Sequence, residues 1–190
     1  AIINRMGFNN HGVDALIANV KRAKFQGVLG INIGKNATTP IENAVDDYLT
    51  CLTKVYDHAS YITVNISSPN TKNLRALQSE DELSKLLGTL KEEQARLQQQ
   101  RGRYVPMAVK IAPDLNLEEI EAIAQVVTQV EMDGVIATNT TIDNSSLGNH
   151  PLAGEAGGLS GLPVRAQSEY VLQHLVHALK GKLPVIGVGG

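Results

Sequence analysis

Four short stretches of the chain share one pattern. Gly-Ile-Asn-Ile-Gly (30–34), Thr-Val-Asn-Ile-Ser (63–67), Ala-Val-Lys-Ile-Ala (108–112) and Ala-Thr-Asn-Thr-Thr (137–141) each set a polar residue in an apolar context: Asn32, Asn65, Lys110 or Asn139. A carboxamide both donates and accepts, so it suits a planar, polar ligand and adds no charge. A strand-end asparagine by itself merely starts a turn. Lys110 lies within Val-Pro-Met-Ala-Val-Lys-Ile-Ala-Pro, the most apolar run, where burial is expected. A buried ammonium needs an anionic partner or gives up its proton. Two chemistries follow for it, a Schiff base with a carbonyl substrate or the holding of an anionic cofactor. Lysine alone leaves both open. Beyond Asn65 come Ser67, Ser68, Pro69, Asn70 and Thr71, which form either a polar turn or the rim of a site.

Glycine supplies a second signal. Glu155 to Arg165 holds Gly157, Gly158 and Gly161 ahead of a helical stretch, and Gly187-Val188-Gly189-Gly190 follows an apolar run. Glycine lets backbone N–H groups approach a ligand closely, and two such loops on successive units favour a phosphate over simple turns. Neither loop is GxGxxG or a GxxxxGK[ST] P-loop, which argues against a Rossmann or P-loop nucleotide site.

These residues need a scaffold. Apolar runs at 28–33, 61–66, 105–111, 134–139 and 184–189 read as strands. Between them the apolar residues recur at helical spacing: Val45, Tyr48, Leu49, Leu52, Val55 and Tyr56; Leu83, Leu86, Leu87 and Leu90; Ile120, Ile123, Ala124 and Val127; Val171, Leu172, Leu175 and Leu179. Helix starts are expected at Thr39-Pro40-Ile41-Glu42, with Pro40 in the first helical position, and at two capping boxes, Ser79 with Glu82 and the weaker Asn116 with Glu119. Strand alternating with helix predicts a parallel sheet with crossover helices. One register turns all four polar strand ends to the same side, which in a (β/α)8 barrel is the interior, at the carboxyl end where sites form. The polar loop from Thr141 to Gly161 is long enough to be functional and is expected to pack over that end.

Composition narrows the classes. The chain has 190 residues, 43% of them hydrophobic and 19% charged, with a net charge of -2. There is no basic excess for nucleic acid. No apolar run approaches the roughly 20 residues of a membrane span. The single cysteine, Cys51, forms no internal disulfide and suits a reducing compartment. No metal-ligand spacing stands out.

Taken together, Ile3 to Gly12 (INRMGFNNHG), INIGKN (31–36), NISSPNT (65–71), KIAPD (110–114), TNTT (138–141) and GGLSGLPVR (157–165) resemble the dihydroorotate dehydrogenase family, along the whole chain and in the expected order. Serine at position 68, with NRMGFNN, is similar to the membrane-associated, quinone-reducing class; soluble members carry cysteine there. The resemblance implies an FMN-containing (β/α)8 barrel that oxidises dihydroorotate to orotate in pyrimidine biosynthesis. It implies Ser68 as the base; Asn4, Arg5, Met6, Gly7, Phe8, Asn65, Asn70, Asn139 and Thr140 as substrate contacts; and Asn32, Asn65, Lys110, Thr138, Gly161 and Gly190 as FMN contacts. Lys110 then lies beside the flavin's N1–C2=O2 edge rather than forming a Schiff base. It further implies quinone as electron acceptor and a peripheral position on the cytoplasmic face of a bacterial membrane, reached through a segment outside these residues. A family barrel needs eight strands, and five are visible in the sequence. The expectation is therefore an incomplete barrel, and residues 1–190 alone are not expected to form a stable, active, FMN-loaded monomer.

Overall fold

The computed structural model describes residues 1–190. All five expected strands are present: β2 (Gly30–Ile33), β3 (Tyr61–Asn65), β4 (Met107–Ile111), β5 (Gly134–Ala137) and β7 (Val185–Gly187). They pair in parallel in the order β2-β3-β4-β5-β7. Crossovers run through α2 (Ala44–Val55), α3 (Glu80–Arg101), α4 (Leu117–Gln129) and α5 (Arg165–Leu179). This is an arc of a (β/α) barrel, and the parallel sheet with crossover helices agrees with the alternation of strand and helix.

The register sorts each strand into two faces. Asn32 is opposite Thr63, Asn65 is opposite Lys110, Lys110 is opposite Ile136, and Ile136 is opposite Ile186. The intervening residues, Ile31, Ile33, Ile62, Val64, Met107, Val109, Ile111, Val135 and Ala137, are buried in one core with the helix stripes. Tyr48, Leu52 and Val55 of α2 join them, as do Leu83, Leu87 and Leu90 of α3, Ile120, Ile123 and Val127 of α4, and Val171, Leu175 and Leu179 of α5. The polar positions are thus forced by alternation onto the face away from the helices. Each fully buried side chain of this kind stabilises the fold by about 1.5–3 kcal/mol, so a one-residue slip would exchange the two faces at high cost.

Several local expectations need correction. Asn139 does not share the parity of Lys110 and Ile136. Strand β5 ends at Ala137, and the two-residue alternation does not extend beyond it: Thr138 is buried with its hydroxyl on Ser168 of α5, whereas Asn139 donates to Ser67 beside Asn65. Pro40 is extended (ψ 151°) and precedes a 3₁₀ turn, Ile41–Asn43, so α2 begins only at Ala44. Ser79 flanks α3 without capping it; its hydroxyl donates to the Ala76 carbonyl instead. The Asn116–Glu119 box is complete in both directions, at 2.9 and 2.8 Å. Three elements had no strong signal: α1 (Val13–Ala23) and the short strands β1 (Ile2–Asn4) and β6 (Gly158–Ser160). β1 and β6 form an antiparallel ribbon, with Asn4 opposite Gly158.

Candidate active site

The site begins where β3 ends. Asn65 is buried, and its Oδ1 accepts from the backbone N–H of Ser67 at 3.1 Å and from the Ser67 hydroxyl at 3.0 Å. A backbone N–H only donates, so the oxygen must face Ser67 and the Asn65 NH₂ must face away from it. The Asn65 carbonyl is held from the other side by the Tyr48 hydroxyl at 2.7 Å. Burial raises the pKa of that hydroxyl well above the usual tyrosine range, so it stays a donor.

Asn139 reaches the same cluster through the turn after β5. Its Nδ2 donates to the Ser67 hydroxyl at 3.0 Å and its Oδ1 accepts from the Thr140 N–H at 2.8 Å. Ser67 therefore donates its proton to Asn65 and accepts from Asn139, and it is fully buried. Ser68 is also buried but differently engaged: its hydroxyl accepts only the Asn70 N–H, at 3.3 Å, and its own proton has no partner in the chain. The two adjacent serines thus differ in kind, one fixing two carboxamides and the other keeping a free O–H.

Asn70 links this loop to the first strand, its Nδ2 donating to the Asn4 carbonyl and side-chain oxygen, both at 3.2 Å. The stretch Asn4 to Phe8 divides. Gly7 lies against the Asn70 backbone and the Phe8 ring covers Gly34. Arg5 turns outward to pair with Glu155, and the Met6 side chain is exposed, so neither side chain joins the cluster. The loop after Thr141 returns over the carboxyl end, as expected: Thr141 bridges to Leu159 with bonds of 3.1 and 2.7 Å. The Gly157–Gly158 end is pressed too closely for side chains; a Cβ on Gly158 would lie 2.1 Å from Thr140 Oγ1. The Thr140 and Thr71 hydroxyls are buried without partners.

Lys110 is half-buried beside Asn65 on the adjacent strand. Desolvation alone shifts it, lowering its pKa from the ordinary lysine value, and no carboxylate opposes the shift. Asn32, two residues short of the Asn65 level, is exposed on the β2 edge. Thr138 follows β5 and is buried, its hydroxyl bonded to Ser168 Oγ of α5 at 3.1 Å. Gly161 and Gly190 converge on the start of α5. Gly161 (φ 83°) caps the 3₁₀ turn that leads into the helix. Gly190 (φ 87°) packs so closely on Arg165 that a Cβ would lie 2.6 Å from the Arg165 Cβ. A glycine-lined helix N-terminus is suited to a phosphate.

Sequence reasoning missed two charged residues, Arg75 and Asp114, which form an ion pair at 2.5 Å beneath the loops. Asp114 lay within KIAPD, and Arg75 interrupts the otherwise apolar Leu74-Arg75-Ala76-Leu77. A charge inside an apolar 3₁₀ turn was the available signal. No group of acidic, histidine or cysteine side chains is placed to hold a metal, and no helix is long and apolar enough to cross a membrane.

Known proteins resemble this chain in sequence and in fold. The family model described as "Dihydroorotate dehydrogenase" matches residues 1–190. A protein of Neisseria meningitidis serogroup C / serotype 2a named dihydroorotate dehydrogenase (quinone) is 72% identical over 189 residues, covering 100% of this chain and 56% of its own length. One of the same name from Cellvibrio japonicus is 67% identical over 190 residues, again 100% of this chain and 56% of its own. The chain spans about half the length of the curated relatives it matches. Among solved structures, a DHODH from Eimeria tenella in complex with ferulenol superposes with a TM-score of 0.91 at 34% identity, covering 99% of this chain and 55% of that one. Its ligand-free form gives 0.89 at 36% identity, covering 99% and 57%.

Proposed function

The chain belongs to the dihydroorotate dehydrogenase family, and from that premise we propose that it forms the flavin and substrate site of an FMN-dependent enzyme that oxidises dihydroorotate to orotate in de novo pyrimidine biosynthesis, with a quinone as electron acceptor. The observation that carries this reading is the convergence on one face of a half-buried lysine without an anionic partner, a carboxamide fixed with its NH₂ free, and a buried serine with an uncommitted hydroxyl.

The residues fit FMN. Lys110, Asn65, Asn32 and Thr138 would meet the ring system, and Gly161 with Gly190 at the start of α5 would meet the phosphate. When bound, FMN supplies a two-electron acceptor for the hydride from C6 of dihydroorotate. The Lys110 ammonium, poorly solvated and unpaired, favours negative charge placed against it. Asn65 offers its NH₂ to a carbonyl or carboxylate oxygen. Asn4, Asn70, Asn139 and the orphaned Thr140 hydroxyl surround the other side of the substrate. Gly7 and Phe8 close the site, while Arg5 and Met6 contribute through their backbone.

Ser68 takes the proton from C5 as the C5–C6 double bond forms. A free serine hydroxyl is a very weak base, so the transfer needs a water-poor setting and onward passage of the proton. Burial and the lone contact from the Asn70 N–H leave the oxygen available. Quinone reduction and a peripheral position at the cytoplasmic face of a bacterial membrane belong to the same proposal. The Schiff-base alternative is disfavoured because Lys110 stands beside carboxamides suited to a planar ring. Anaerobic addition of dihydroorotate should bleach a flavin that co-purifies with the enzyme. A colourless protein in which borohydride traps a substrate on Lys110 would replace this reading with the lyase.

A further inference from the structure

Arg75 spends its three guanidinium nitrogens on three different segments. Nε donates to the Ser67 carbonyl at 3.2 Å, one terminal nitrogen pairs with Asp114 Oδ2 at 2.5 Å, and the other donates to the Thr140 carbonyl at 2.8 Å. The Ser67 carbonyl belongs to the peptide from which Ser68 hangs. The Thr140 carbonyl is one residue past Asn139. Asp114 extends the tie: its Oδ1 accepts from the Thr141 hydroxyl and from Gln167 Nε2, the latter at 3.1 Å on α5. Both charged side chains are mostly covered, at 19% and 18% exposure, so neither is a solvated surface pair. The loops after β3, β4 and β5 and the first turn of α5 therefore share one ionic node.

We propose that Arg75 and Asp114 are positioning residues that hold the Ser68 peptide at a fixed place relative to Asn139 and Thr140, a role that rests on the reading of Ser68 as the proton acceptor. The remaining direct side-chain tie between the two loops in this cluster is the neutral Asn139–Ser67 bond. A planar fork that reaches three acceptors in fixed directions is specific to arginine; lysine offers a single point charge on a flexible stem. Loss of the fork frees the two loops to move apart, and small misplacements of a reacting group are costly in rate.

The test uses the holoenzyme with Arg75→Ala and the nearly isosteric Asp114→Asn, which keeps the packing should the alanine variant fold poorly. Hydrogen exchange is read first, since it does not depend on activity. Amides at 67, 68, 70 and 71 and at 140–142 should exchange faster together in both variants, by about 10-fold or more, while α4 stays protected. The limiting rate of flavin reduction by dihydroorotate should fall by about 10-fold or more, with flavin content and quinone reoxidation changed less than about twofold. Added guanidinium should restore part of the rate to Arg75→Ala but none to Asp114→Asn. Unchanged exchange in the two loops, or an equal loss in both half-reactions, overturns the positioning role. Variants reduced as fast as a competent wild type overturn it as well and leave the functional reading standing. A wild type that dihydroorotate does not reduce overturns the functional reading and this role with it.

Discussion

Lys110 sets the requirements of the ligand site against those of the fold. Its pKa is lowered by desolvation, so the folded chain binds its proton less tightly than the unfolded chain does. Below the lowered value both states are protonated and the full cost of burying the charge is present. Above the ordinary lysine pKa of about 10.4 both are neutral and the cost is gone. Lys110→Met should therefore stabilise the ligand-free protein by about 1 kcal/mol near neutral pH, at the low end for buried charges because the site is half-open. The gain should shrink as pH rises through that window, and FMN retention should weaken. Denaturant melts of both forms across pH would show it, and a gap that widens toward alkaline pH would refute the sign. Lys110 was legible in the sequence because a lysine within such an apolar run needs a reason. The difference between Ser67 and Ser68 was not legible from residue type, since it depends on which hydroxyl meets Asn65 and Asn139 in space.

Helices α3 and α4 show where local signals succeed and where tertiary contacts override them. Ser79 and Asn116 both stand at N-cap positions, yet only Asn116 bonds the N–H of the third helical residue. Asn116→Ala should cost about 1 kcal/mol of stability, and Ser79→Ala only a few tenths. Urea titration of the two variants decides this, and equal losses would contradict the geometry. The strands and helix stripes of the sheet were readable because period 2 and period 3.6 are strong signals in apolar segments. Ribbon β1–β6 was not, because three-residue strands held together by tertiary pairing carry almost no periodicity. Asn139 joins Asn65 through Ser67, as its place at a strand end suggested, but it does so from beyond the end of β5 at Ala137 rather than by strand alternation.

Across the whole molecule, the sheet has two unpaired outer edges, on β2 and β7, because each has one neighbour. Ile186 and Val188 stand 48% and 47% exposed beside the second edge. Exposed apolar strand edges recruit further strands. The polypeptide of residues 1–190 expressed by itself should self-associate, and sedimentation velocity showing a clean monomer would contradict this. The barrel-type architecture was evident from alternation and from the side to which the polar strand ends point. The ionic node at Arg75 and Asp114 was hidden because its parts lie 39 residues apart. The central claim concerns the Ser68 hydroxyl, whose proton has no partner in the chain. Anaerobic stopped-flow reduction of the bound flavin by dihydroorotate, in wild-type, Ser68→Ala and Ser67→Ala enzymes, tests it most directly. Ser68→Ala should keep its FMN and slow reduction by about 10²-fold or more, with a smaller loss for Ser67→Ala. Equal losses at the two serines, or wild-type reduction in Ser68→Ala, would contradict the assignment of Ser68 as the proton acceptor.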